Sequence, residues 1–304
     1  MKRPEPLELY QPTTLREASR LLKDKGAGGC FLAGGTDLVI AIKEKGLAPN
    51  YLVDLKKVPG LSEIRENTDG SITIGALTTM RDIEIDSLLK QKYPFLCQSA
   101  AEVGSIQIRN RATVGGNMAN ATPSADVAPS LIALNATAKI VNAGGERMVA
   151  LEEFFRGPGQ TVMSPDEILT QIIIPKTSPQ LVGEYIKFSP RDMMDLAYVG
   201  VAVAYVIAAD KRCSGVRIVL GAVAPTPIRA RSAEGLLEGQ PLTEKLAAKV
   251  AAVAAQESKP ISDVRSSAEY RRAMVEAMTK RALLNAGVPR TEKVSWCHRR
   301  DRRY

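Results

Sequence analysis

The chain has 304 residues, 45% of them apolar and 24% charged, the composition of a soluble globular protein of two or three domains. Its single His and single Trp, His298 and Trp296, fall in the last nine residues, which excludes Ser-His-Asp and Cys-His catalytic groups and His-containing zinc or non-haem iron sites from the body. The formal net charge of +8 excludes less than it promises, because residues 290–304 alone contribute +4, from six Arg/Lys against Glu292 and Asp301.

Taken in order, TTLREASRLLKDK (13–25) has Leu15, Ala18, Leu21 and Leu22 at helical spacing, with Thr13 or Thr14 as N-cap. Next, CFLAGGTDLVIAIKEKG reads as a short strand, a glycine turn and an apolar helix from Leu38 to Lys45; YLVDL (51–55) reads as a second strand. Together these make a βαβ-like unit. ITIGAL (72–77) is strand-like and leads into a helix start at TTMRDIE, and a helix is expected after Pro94. IQIRNRATVGGNMANATPSAD has almost no helical periodicity and is expected to be a long irregular segment, of the kind that carries function in compact domains. LIALNATAKIV follows Pro129, GGERMVAL closes a hairpin, and DEILTQIIIP ends the block as a strand. A Pro-rich junction, 175–179, marks a boundary. EYIKFS, AYVGVAVAYVIA and GVRIVLGAV are three strands, followed by helices in LTEKLAAKVAAVAAQ and SSAEYRRAMVEAMTKRALLNAG. Strands followed by helices is an α+β pattern.

The N-terminus lacks the apolar core of a signal peptide, and the longest apolar run, Leu196 to Ala209, is 14 residues, too short to span a bilayer. Cys30, Cys97, Cys213 and Cys297 are 67, 116 and 84 residues apart, so no local pattern for an iron–sulfur cluster or structural zinc exists. Sparse cysteines fit a reducing compartment, and a cytoplasmic protein without membrane insertion is expected. The basic tail reads first as a solvated end, with nucleic-acid or anionic-lipid binding as the competing reading. Outside the tail there is no basic stripe or set of stacking aromatics, so no nucleic-acid partner is expected.

Two diglycine loops are candidate binding elements. Ala33-Gly34-Gly35-Thr36-Asp37 lies between a strand and a helix start, where adjacent glycines let backbone N–H groups approach an anion such as a diphosphate. It matches neither GxGxxG nor GxxxxGK[ST], and a plain tight turn is the competing reading. Thr113-Val114-Gly115-Gly116-Asn117 has the same physics, with Asn120, Thr122, Ser124 and Asp126 close behind. With Pro129 near, Asp126 suits a helix N-cap as well as a ligand contact. By residue type alone, Leu169 reads as core and Lys187 as surface.

LAGGTDL, IRNRATVGGNMANATPSAD, GPGQTVMSPDEIL and IKFSPRDMMDLA, in this order and reinforced by ISDVRSSAEYRRAMV, resemble the FAD-binding medium subunit of the xanthine dehydrogenase and carbon monoxide dehydrogenase family of molybdenum hydroxylases. The resemblance runs from about residue 5 to about residue 285. It implies an α+β, PCMH-type FAD-binding fold: an N-terminal subdomain over 1–57, a second FAD-binding subdomain over 58–177, and a C-terminal domain of a three-stranded antiparallel sheet with helices over 178–287, before a basic tail at 288–304. It also implies cofactor-binding residues: Phe31, Leu32, Ala33, Gly34, Gly35, Thr36 and Asp37 around the FAD diphosphate, and Thr113, Val114, Gly115, Gly116 and Asn117 on its other side. Asp126 is expected on ribityl or ribose hydroxyls, the Leu169 backbone by the flavin ring, and Lys187 near the isoalloxazine. Arg191 and Asp195 align without an assigned role.

By the same resemblance the partners are an iron–sulfur small subunit with two [2Fe–2S] clusters and a large subunit with the molybdopterin cofactor. The cysteine count agrees, since this chain cannot hold those clusters, and the cysteine-bearing insertion of 4-hydroxybenzoyl-CoA reductases is missing. The expected function is electron transfer through FAD to NAD+ or another acceptor, with no metal site and no catalytic side chain in this chain. A free-standing FAD-dependent oxidoreductase of the same fold is the alternative, and a nucleic-acid or membrane adaptor using the tail is the reading from a different class.

Overall fold

The computed structural model describes residues 7–26, 28–191 and 194–288. The basic tail, with Trp296, Cys297 and His298, lies outside them apart from residue 288.

The chain begins with β1 (Glu8–Tyr10), α1 (Leu15–Lys25), β2 (Gly29–Leu32), α2 (Leu38–Glu44) and β3 (Tyr51–Asp54). The strands form a parallel sheet in the order β1-β3-β2. Thr14 caps α1 by accepting the Glu17 N–H, while the Glu17 carboxylate accepts from the Thr13 N–H. Ala18 and Leu22, one turn apart, then face Tyr51 and Val53 in a small core. The three-residue strand β1 is too short to show alternation in sequence. A 3₁₀ turn, Leu55–Lys57, follows β3.

The middle block is β4 (Ile64–Glu66), β5 (Ile72–Gly75), α3 (Met80–Ile85), α4 (Ser87–Lys92), α5 (Pro94–Ala101), α6 (Ile106–Arg109), α7 (Val114–Asn120), α8 (Val127–Ala133), β6 (Thr137–Asn142), β7 (Gly145–Ala150), α9 (Leu151–Phe154), β8 (Phe155–Gly157), β9 (Gln160–Thr161) and β10 (Ile168–Ile174). Five strands make an antiparallel sheet, β4-β5-β10-β6-β7, with β8 and β9 a separate hairpin. The central strand β10, ILTQIII, is covered on both faces, which explains its nearly unbroken apolar run.

The segment expected to be irregular corrects the sequence reading, because α6 and α7 lie within it and α8 begins before Pro129. Helices of four and seven residues are too short to develop a 3.6-residue period. They are set by caps instead: the Ser105 hydroxyl accepts from the Ile108 N–H, and the Thr113 hydroxyl from the Gly116 N–H. Pro129 is the third residue of α8, where no intrahelical N–H bond is lost.

The last block is β11 (Leu181–Phe188), β12 (Val199–Ile207), β13 (Cys213–Gly221), β14 (Ile228–Arg229), α10 (Arg231–Leu237), α11 (Glu244–Glu257) and α12 (Ala268–Asn285). The three long strands are antiparallel, and the two-residue β14 adds a fourth at the edge. Strand β12 alternates by size. Val199, Val201, Val203 and Tyr205 face a core shared with α11 and α12, whereas Ala202 and Ala204 face the core of the middle block. Small residues on that face let the C-terminal sheet lie close against α5 and α8.

Among the described residues, no helix is long and apolar enough to cross a membrane, and no cluster of His, Cys, Asp or Glu could hold a metal ion. Cys30 is half-buried, and Cys97 and Cys213 are buried.

Candidate cofactor site

A cleft of about 940 Å³ opens where the three sheets' loops converge, lined by parts of 29–47, 76–77, 103–126 and 163–169 and by Arg191, Met194, Asp195, Leu196 and Arg265. The two diglycine loops form one of its walls.

The first loop leaves the end of β2 and turns into α2. At Gly34 a Cβ would stand 2.0 Å from the Arg111 carbonyl oxygen, so the first loop touches, backbone to backbone, the segment that leads into the second. Gly35 has φ +80°, the left-handed region that glycine occupies without strain. Among the described residues, the amide N–H groups of Gly34, Gly35, Thr36 and Asp37 have no protein acceptor. Four consecutive unpaired donors at a turn before a helix form a concavity suited to an anion. Behind them α2 presents Leu38, Ile40 and Ala41 to the cleft, an apolar surface of the kind an aromatic ring covers.

The second loop works differently. Val114 N–H donates to Thr78 O at 3.0 Å, Gly115 N–H to Ala76 O at 2.8 Å, and Gly116 N–H to Thr113 Oγ1 at 3.2 Å. Its amides are engaged, which corrects the expectation that it offers a second set of free N–H groups. It offers instead the Asn117 side chain, whose Oδ1 is buried and has no hydrogen-bond partner among the described residues. An unsatisfied buried oxygen at a cleft wall calls for a donor. The glycines here serve packing: a Cβ on Gly115 would meet Ala76 Cβ at 2.5 Å.

The contact between the loops carries a prediction. Gly34→Ala is expected to lower apo-protein stability by about 2 kcal/mol or more, because overpacking against backbone has no side-chain rotation to relieve it. A urea melt of the apo variant coinciding with that of the unaltered protein would show that the loops separate freely.

Asp126 sits at the head of α8 but its side chain makes no cap bond, so the capping reading does not hold. The carboxylate is turned to the C-terminal sheet. Oδ1 accepts from the Tyr185 hydroxyl at 2.8 Å and Oδ2 from Lys187 Nζ at 2.9 Å. Burial pushes the Asp126 carboxyl up to about 6 against the pull of Lys187 and Tyr185. The same burial raises the Tyr185 phenol well above its ordinary value, so it remains a donor.

Leu169 is core, as its type suggests, and it also lines the cleft. The turn before it is held by Glu167, whose carboxylate takes Arg147 Nε at 2.7 Å, Nη2 at 2.8 Å and the Ser164 N–H at 2.7 Å. That guanidinium keeps the Glu167 carboxyl below its usual value.

Phe31, Ala33, Gly34, Gly35, Thr36, Asp37, Thr113, Gly115, Gly116, Asn117, Asp126 and Leu169 all line the cleft. Three predicted residues do not. Leu32 packs beneath the loop, its Cδ1 3.2 Å from where a Gly35 Cβ would be. Val114 is fully buried in the middle core. Lys187, read as surface by type, has a side chain only 5% exposed and stands behind Asp126. Arg191 and Asp195 also line the cleft, as an ion pair of 3.3 Å. Sequence reasoning missed Tyr185. Its signal was the Tyr-x-Lys spacing, which on a strand places both side chains on one face.

The description "FAD binding domain in molybdopterin dehydrogenase" matches residues 5–177, and "CO dehydrogenase flavoprotein C-terminal domain" matches residues 184–286. The chain belongs to the FAD-binding subunits of the molybdenum hydroxylases. Over 278 residues it is 33% identical to the xanthine dehydrogenase FAD-binding subunit of Escherichia coli, covering 91% of this chain and 94% of that one. It is 31% identical to the carbon monoxide dehydrogenase medium chain of Hydrogenophaga pseudoflava over 92% of this chain and 96% of the relative. The structure of the carbon monoxide dehydrogenase from Hydrogenophaga pseudoflava that lacks the Mo-pyranopterin moiety superposes with a TM-score of 0.89 at 32% identity, covering 93% of this chain and 97% of that one. The α+β fold is thus that of the family, and the chain is an FAD-binding oxidoreductase subunit. The cleft fits that cofactor on its own terms, through the row of free amides, the unpartnered Asn117 oxygen and the apolar face of α2.

Proposed function

We propose that this chain carries electrons through FAD from [2Fe–2S] clusters of an iron–sulfur small subunit to NAD+ or another soluble acceptor, after substrate oxidation at the molybdopterin cofactor of a large subunit. Bound FAD supplies the two-electron chemistry, including hydride delivery. The chain's residues hold and shape it. The amides of residues 34–37 cradle the diphosphate, Asn117 and Asp126 accept from hydroxyl or amide donors, Leu169 lies against the ring, and Lys187 acts from behind Asp126 by holding its carboxylate. The observation that carries this reading is that both diglycine loops line a single cleft, with Gly34 packed against the Arg111–Ala112 backbone that leads into the second loop.

Hydride delivery from reduced flavin needs no side-chain acid or base, which is consistent with a body without histidine. Near-equal identity to subunits of enzymes named for xanthine and for carbon monoxide supports a reading in which the partner, not this chain, chooses the substrate. The reading also places the protein in the cytoplasm.

Purified protein is expected to be yellow and to release FAD on denaturation. Released flavin that chromatographs as FMN, or a colourless protein that takes up no added FAD, overturns the reading.

A further inference from the structure

The fully buried Tyr185 hydroxyl is not accounted for by flavin binding itself, since Tyr185 does not line the cleft. Gly183, Tyr185 and Lys187 alternate onto the face of β11 that meets the middle block. Phe95 covers Gly183, while Tyr185 and Lys187 reach Asp126. The approach is made possible by two glycines paired across β12 and β13, Gly200 and Gly221. A Cβ on Gly200 would lie 3.2 Å from the Tyr185 hydroxyl, and one on Gly221 would lie 2.8 Å from Pro129 Cγ of α8. Helix α8 therefore rests on nearly bare sheet. Two further bonds tie the same surfaces: Ala222 N–H to Pro123 O at 2.9 Å, and Gln98 Nε2 to Tyr185 O at 2.9 Å.

We propose that Tyr185 is a positioning residue: with Lys187 it grips one carboxylate oxygen each of Asp126, so that the C-terminal sheet orients the cleft's buried acid and keeps it ionised for the flavin. This rests on the assignment of the cleft to FAD. Both oxygens being held by one strand, the carboxylate has no freedom to rotate, and its remaining lone pairs are presented to the cleft. The charged and titratable groups that act on Asp126 are Lys187 and Tyr185 from β11 and Glu102 from the end of α5. Lys187 and Tyr185 favour the carboxylate, while Glu102 and burial oppose it. A tyrosine in an apolar site keeps its proton at every working pH, so it donates to the carboxylate throughout. A phenylalanine there would pack the same volume and fail at that one task.

The test is FAD titration of apo-protein from pH 5 to pH 8.5 for the unaltered chain, Tyr185→Phe and Tyr205→Phe. Tyr205 is an equally buried tyrosine, on β12, whose hydroxyl bonds Leu283 O at 2.8 Å, far from Asp126. Removing either hydroxyl lowers stability, but one alone touches the acid. In the unaltered protein FAD affinity should fall as pH drops through about 6. In Tyr185→Phe the inflection should move up by about one pH unit, the size of one hydrogen bond, with binding about fivefold weaker at pH 6 and the gap closing by pH 8.5. Tyr205→Phe should retain the original inflection. Should Tyr185→Phe not fold, Gly200→Ala crowds the same hydroxyl without removing it and should move the inflection in the same direction. An inflection in Tyr185→Phe that coincides with that of Tyr205→Phe overturns the proposal and leaves Tyr185 a packing residue. Failure of the unaltered protein to bind FAD would instead overturn the flavin assignment itself.

Discussion

Gly35→Val is expected to weaken FAD binding by about 3–5 kcal/mol while leaving a folded apo-protein. Gly35 has φ +80°, and a β-branched residue forced into that region costs about 1–3 kcal/mol of strain. Relief of the strain turns the peptide planes of residues 34–37, and with them the free amides proposed to hold the diphosphate. Each charge-assisted bond lost costs about 1.5–3 kcal/mol. Gly116→Val is expected to act in the same direction by another route. Gly116 has no positive φ, and a Cβ there would stand 2.9 Å from Thr113 Oγ1 and 3.8 Å from Ala33 Cβ. A valine would fill the gap between the loops and dislodge the Thr113 cap, which is worth about 1 kcal/mol. Calorimetric titration of apo-protein with FAD, beside urea melts of the same samples, separates lost affinity from lost stability. Unaltered FAD affinity in both variants would mean that the loops are plain turns and the diphosphate lies elsewhere.

The second large effect is expected at Asp126. Asp126→Ala leaves Lys187 with its charge 5% exposed and one partner fewer, so the apo-protein should lose about 3–5 kcal/mol of stability. The double variant Asp126→Ala, Lys187→Met removes both charges and should recover most of that loss. Were the pair incidental, the two single substitutions would be additive. The pH dependence has a definite sign. Burial lifts the Asp126 carboxyl from 3.8 to about 6 in the folded protein, so the folded state binds this proton more tightly than the unfolded chain. Its contribution to stability is greatest below about 4 and is lost as pH rises to about 6, by about 3 kcal/mol. Melts of the apo-protein at pH 4.5 and pH 7 should show this slope and Asp126→Asn should abolish its Asp126 component; an identical slope in the variant would place the titration on another group. If Asp126 accepts from the flavin as proposed, that loss is opposed and the slope should flatten when FAD is present.

Much of this protein was written locally. The Thr14 cap and the Ala18 and Leu22 stripe of α1, the strand at Tyr51–Asp54, the unbroken apolar run of β10 and the three long strands of the C-terminal sheet each depend on neighbours within a few residues, and each is legible as spacing. So is the chemistry the chain lacks. For an enzyme, a body without histidine and without closely spaced cysteines pointed to a bound cofactor, and the diglycine loops were the candidates for where backbone could approach one. The short helices α6 and α7 were not legible, because a helix of one or two turns is specified by its caps and by what it packs against.

The roles inside the cleft were decided by tertiary contact. Gly34 and Gly35 look alike in sequence, yet the first is required by the Arg111 carbonyl from a loop more than seventy residues away and the second by its own φ. Both diglycine loops promised free amides. Only the first keeps them, because residues 76–78 bring carbonyl oxygens to the second. Asp126 could have been a cap or a ligand contact until β11 brought Tyr185 and Lys187 to its two oxygens. Lysine is a surface residue by type, since its charge is costly to bury; Lys187 is buried because a carboxylate 61 positions earlier in the chain meets it there. Spacing along a chain encodes which face a side chain takes, whereas the partner waiting on that face exists only once the sheets have packed.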